Sequence, residues 1–164
     1  MKRFSIPLAS LLVMFMFLAN ESYAQKPTWI VGGRIGMSIA SGGGGSEAGF
    51  QIGPTGEVIF NRNYAIVEAL NINTQTGTTI EWSNYFKYYF LVHGSTIKPY
   101  IDGGFSLWFV TGGPYFALDF GGGVMFEIQH NLYVPMDFQF GPIFVTGNTV
   151  FGVEITTGLR YEFN

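Results

Sequence analysis

Chemistry in a chain of this length rests on a few side-chain types, and this sequence offers few of them. It has no cysteine and only two histidines, His93 and His130. A thiolate nucleophile is excluded, and a Ser-His-acid relay or a mixed-ligand metal centre would have to be built around one of two imidazoles. Each imidazole sits in a short polar connection, Val-His-Gly-Ser-Thr at 92–96 and Ile-Gln-His-Asn at 128–131, where a solvated turn residue is the simpler reading. The run Ser41-Gly42-Gly43-Gly44-Gly45-Ser46 lacks the following lysine and the strand-to-helix setting of a phosphate loop, so it reads as a flexible hairpin. With no convergent ligand set, no catalytic, metal or cofactor-binding residue is assigned, and no cofactor is expected.

The charged residues are more informative. Arg34, Glu57, Glu81, Lys87, Asp102, Asp119, Glu127, Asp137, Glu154 and Arg160 each fall on the polar parity of a segment whose other parity is apolar. In the final segment Phe151, Val153, Ile155, Leu159, Tyr161 and Phe163 share one parity, while Gly152, Glu154, Thr156, Gly158, Arg160 and Glu162 hold the other. Period-two alternation is the signature of β-strands. The first segment repeats it, with Trp29, Val31, Ile35, Met37 and Ile39 set against Gly32, Arg34, Gly36 and Ser38. Between them strands are expected near 47–60, 64–74, 79–91, 97–110, 114–127 and 132–145, which makes eight. In the third, Glu68 shares parity with Tyr64, Ile66, Leu70 and Ile72, so either a bulge shifts the phase or Glu68 lies near a rim. No segment carries a helical stripe of useful length, and the class is all-β.

Short connections rich in Gly and Asn suit tight hairpins. An up-and-down meander of eight strands can close on itself and so remove its exposed edges. Alternation cannot say which face is outside, because a soluble calycin-like carrier would turn the same two faces inside out. Composition decides. The chain is 12% charged and 48% hydrophobic, against about 25% charged for an ordinary soluble domain. The polar parity has too little charge for a water-facing exterior and suits a narrow interior, whereas the apolar parity suits lipid. A net charge of −3 without a basic run argues against nucleic acid.

The amino terminus has its own signature: Lys2 and Arg3, an apolar run from Ile6 to Ala19, then Ser22-Tyr23-Ala24 before Gln25. This is the order of a cleaved signal peptide. Residues 1–24 are therefore expected to be removed, leaving 164 − 24 = 140 residues, 25–164, as one domain.

Residues 29–163 resemble the outer membrane protein β-barrel domain family, the small eight-stranded barrels of OmpX/OmpA type. The resemblance is carried by the leader, by Lys98-Pro99-Tyr100-Ile101-Asp102-Gly103-Gly104, by Asp119-Phe120-Gly121-Gly122-Gly123 and by the aromatic ending Gly158-Leu159-Arg160-Tyr161-Glu162-Phe163. It implies an integral protein of the bacterial outer membrane with lipid as its surroundings. It also implies that Tyr161 and Phe163 serve as the signal read by the barrel-insertion machinery, although Asn164 follows them here. Barrels of this kind that act on lipid A place His and Ser towards the extracellular end, and both histidines here fall in turns on the periplasmic side.

The expectation is thus a non-enzymatic barrel with a structural or surface-interaction role and a lumen plugged by the ten charges together with Tyr85, Tyr89, Tyr100 and Trp108. Arg34 and Arg160, on the first and last strands, are expected to fasten the seam. The alternatives are a narrow cation-preferring pore or small-ligand-binding barrel, and an outer-leaflet lipid-modifying enzyme.

Overall fold

The computed structural model describes residues 26–42, 44–60, 62–75, 77–92, 94–110 and 112–163; the leader, His93 and Asn164 lie outside them. The strands are β1 (Thr28–Gly42), β2 (Gly45–Phe60), β3 (Tyr64–Asn73), β4 (Thr79–Tyr89), β5 (Ile97–Val110), β6 (Gly113–Gln129), β7 (Leu132–Val145) and β8 (Asn148–Phe163). Each pairs antiparallel with the next, and β1 pairs with β8, closing the barrel. The expected eight-stranded all-β barrel is the observed fold, with strand ends within a few residues of those read from alternation. The end that carries both termini is called the inner end below.

Tilt follows from the register. A ladder row leaving β1 at Trp29 crosses all eight strands and returns to β1 at Ile39, 39 − 29 = 10 residues nearer the outer end. With ~3.3 Å per residue and ~4.8 Å between strands, that stagger inclines the strands ~40° to the axis. Strands of 10 to 17 residues then cover the ~25 Å apolar band of a membrane barrel.

The two parities separate cleanly. Along β4, Glu81, Ser83, Tyr85, Lys87 and Tyr89 are buried, whereas Ile80 and Phe86 are 49% and 55% exposed. Phe, Ile, Leu and Val therefore form the outer wall, and the polar side chains fill the inside. Such a surface would drive aggregation in water, but it is the natural one in lipid. Trp29, Tyr64, Tyr88, Tyr161 and Phe163 gather at the inner end of this wall, with the Tyr161 and Phe163 rings 4.9 Å apart, like an interfacial aromatic girdle.

The third strand corrects the sequence reading. β3 holds one register with β4 from Tyr64 to Asn73 without a bulge. Glu68 lies 68 − 64 = 4 residues from the inner end of the strand and 73 − 68 = 5 from the outer end, so it is not at a rim. Its carboxyl belongs to the outer wall. The register shift lies instead in β6, between Glu127 and Gln129.

Two sharp turns need residues at positive φ, and Arg62 (φ 63°) and Asn131 (φ 64°) occupy them. The close fit of β1 to β8 depends on Gly32, where a Cβ would come within 2.1 Å of the Leu159 carbonyl oxygen.

Candidate functional site: a polar lumen between two apolar layers

Each inward charge is aimed by strand parity, and the lumen is narrow enough for side chains from several strands to meet. Near the inner end Arg160 on β8 reaches Asp137 on β7 (Nη2 to Oδ2 3.0 Å) and Glu57 on β2 (Nη1 to Oε2 3.5 Å). Lys87 on β4 approaches the same Glu57 oxygen at 3.3 Å, and its ammonium lies 4.0 Å from the centre of the Tyr100 ring. The hydroxyl of Tyr89 donates to Glu57, that of Tyr100 to Asp137. Two carboxylates are thus held by two cations and two phenols, all buried.

Towards the outer end a second cluster is built on Arg34 of β1. Its Nε donates to Asn71 Oδ1 (2.8 Å) and its Nη2 to Glu81 Oε1 (3.4 Å), while Ser83 Oγ donates to the same Glu81 oxygen at 2.6 Å. Gln51 Nε2 donates to Glu154 (3.0 Å), Ser106 to Asp119, and Gln139 Nε2 to Asp102 (3.4 Å). Among the described residues Asp102, Asp119 and Glu154 make no ion pair; amides and hydroxyls hold them instead. Glu127 is half-buried beside the register shift at the inner rim and joins neither cluster.

The two arginines on the closing strands find their carboxylates beyond the β1–β8 pair itself, and among the described residues only the Arg160–Glu57 ion pair spans that junction. Arg34 crosses the lumen to β3 and β4, and Arg160 passes over β1 to reach β2. The reason is geometric: side chains in so narrow a barrel meet across the axis as easily as along the wall. Gly32 lets Arg160 lean over β1, since its missing Cβ would stand 3.0 Å from Arg160 Cγ.

Apolar side chains close the polar middle at both ends. Trp108, Ala117 and Ile143, with Tyr115, Val145 and Val150 against them, form the outer layer. Gln75 of the β3–β4 connection folds beside it, buried, its Nε2 donating to the Glu47 carbonyl at 2.7 Å. The inner layer is Ile30, Ala65, Tyr89, Tyr100, Met125 and Tyr133. Below it Lys98 donates to the Tyr133 hydroxyl (2.8 Å) and pairs with Glu162 (3.3 Å). The sequence reading placed Tyr89, Tyr100 and Trp108 inside, but not the other members of these layers nor the layering itself. The cavity among Ser38, Gln75, Trp108, Asp119, Gln139 and Glu154 is about 10 Å³, no more than a single water needs.

His130 is exposed in the β6–β7 turn at the inner end. Among the described residues no three His, Asp or Glu side chains converge as a metal site. Tyr161 and Phe163 point outward from the inner end of β8, 44% and 49% exposed.

The chain matches no protein-family model and no curated protein. Solved structures with the same fold are found. Neisserial surface protein A superposes with a TM-score of 0.71 at 18% identity, over 87% of this chain and 100% of that one. The attachment invasion locus protein Ail of Yersinia pestis, in complex with the heparin analogue sucrose octasulfate, gives 0.55 at 12% identity, over 85% and 100%. The outer membrane enzyme PagL gives 0.50 at 16%, over 82% and 98%. A surface protein, an attachment protein and an enzyme share this architecture, so the architecture assigns no activity. The chain has the fold of the small eight-stranded transmembrane barrels of bacterial outer membranes.

Proposed function

We propose that the chain is exported on residues 1–24, cleaved before Gln25 and inserted in a bacterial outer membrane as a non-enzymatic barrel with a structural or surface-interaction role. The observation that carries this reading is the filled interior: two clusters of buried charge stacked between apolar layers, with a cavity of about 10 Å³ beside the outer layer. Such an interior is packed by its own side chains rather than shaped around a solute. The outer connections are also short. A protein partner normally takes ~800 Å², which favours the structural half of the reading.

A specific observation favours one competitor. Six inward carboxylates of the two clusters, Glu57, Glu81, Asp102, Asp119, Asp137 and Glu154, face three cations, Arg34, Lys87 and Arg160, so a path opened by side-chain motion would pass cations. Ion conductance of the refolded chain in planar bilayers separates the two, with a heat-modifiability gel to show folding. Silence from a folded barrel is the expected result. Discrete cation-selective steps would overturn the closed-lumen reading and put a narrow pore in its place.

A further inference from the structure

The outer wall has one chemical anomaly. Among the described outward-facing strand positions Glu68 is the only charged side chain and, apart from Gln129 at the inner rim, Asn84 is the only amide; Glu68 and Asn84 are register partners on β3 and β4. Thr157, another polar group of the wall, is satisfied by its bond to the Pro135 carbonyl at 2.8 Å. Among the described residues Glu68 makes no ion pair and Asn84 Nδ2 has no acceptor. In hydrocarbon a carboxyl and an amide without partners are each costly, and such groups mark sites of interaction. Beside them the wall sinks into a depression of about 870 Å³ whose floor includes Pro54 and Gly56. A Cβ at Gly56 would meet nothing within 4 Å.

We infer that this face binds a second copy of the chain through a two-fold axis along the membrane normal. Such an axis keeps both barrels upright and keeps every residue at its own depth, and it makes an interface in which residue i meets j and j meets i. A donor and an acceptor side by side at nearly one depth are then self-complementary. The register closure shows that ladder rows rise towards the outer end in strand order. Asn84 therefore lies ~3 Å above Glu68, and the two-fold sets Glu68 of one barrel against the partner subunit's Asn84, and the reverse. A turn of the Asn84 side chain presents its free donor to that carboxyl.

The same axis makes a second match. On the unrolled wall Gly56 lies ~3 Å below Glu68 and Phe86 ~2 Å below it, on opposite sides of the axis and at similar distances from it. Phe86, 55% exposed, is thereby carried over the partner subunit's Gly56. A ring meets a gap in each half of the interface, and small residues at such contacts let two walls approach closely. Acyl chains would fill the depression but offer nothing to the carboxyl or the amide, whereas a second copy answers both.

Energy transfer between donor- and acceptor-labelled copies in phosphatidylcholine vesicles, followed on lipid dilution, tests this. The intact chain is expected to show transfer that falls with dilution as a monomer–dimer equilibrium. Glu68→Leu and Phe86→Ala should each weaken association about tenfold, while Phe138→Ala, on β7 away from the patch, should not. Glu68→Leu removes a charge from the lipid face, so its barrel should resist heat at least as well as the parent. In the naturally cysteine-free chain, mixed Gly56→Cys and Phe86→Cys copies should form a disulfide that neither forms alone, which gives the answer even if a variant does not fold. Monomers at every dilution, or association indifferent to both substitutions, would overturn the dimer and leave the face to lipid or another protein. Failure to enter the vesicles, read on the heat-modifiability gel, would instead count against the membrane reading.

Discussion

Arg160 shows how one side chain organises the interior. Its two terminal nitrogens serve Asp137 at 3.0 Å and Glu57 at 3.5 Å, and those carboxylates in turn hold Tyr100 and Tyr89. Removing one partner from a buried pair leaves the others unpaired, which costs ~3–5 kcal/mol. Arg160→Leu is therefore expected to lower the temperature at which the barrel converts to its unfolded band on a heat-modifiability gel. An unchanged temperature would reject the central role of Arg160. The type and parity of this residue were legible in the sequence, but its partners were not, because they come from β2 and β7 and are chosen by distance across the lumen. Glu68 illustrates the converse: its parity was read correctly, and a rim or a bulge was inferred only because a mid-wall carboxyl is unusual.

At the scale of elements, period-two alternation located all eight strands, since the two environments of a barrel wall differ more sharply than those of most sheets. The turns obey a different rule. Asn131 sits at φ 64°, a conformation that costs most L-residues ~1–2 kcal/mol and Asn less. Asn131→Val should destabilise the β6–β7 hairpin by about that amount, seen as a lower urea midpoint for the refolded barrel, whereas Asn131→Gly should be nearly neutral. The bulge between Glu127 and Gln129 had no warning in the alternation. One extra residue next to a turn shifts the phase of too few positions to show.

The whole molecule is a closed sheet turned inside out relative to a soluble barrel. Tyr161 and Phe163 end its last strand facing outward, where they touch no interior group, so their proposed role in insertion separates from stability. Phe163→Ala should slow assembly in cells while leaving the heat resistance of barrel refolded from urea within a few degrees of the parent. An equal loss in both assays would make Phe163 a stability residue instead.

The sequence by itself determined the class, the strand count, the two faces and the membrane as the solvent of one of them, because all of these depend on local parity and overall composition. Only the tertiary structure decided which charges meet, that apolar layers close both ends of the lumen, and that Glu68 and Asn84 stand together on the lipid face. Those facts depend on a stagger of ten residues around the closed sheet, and closure is a property of all eight strands at once.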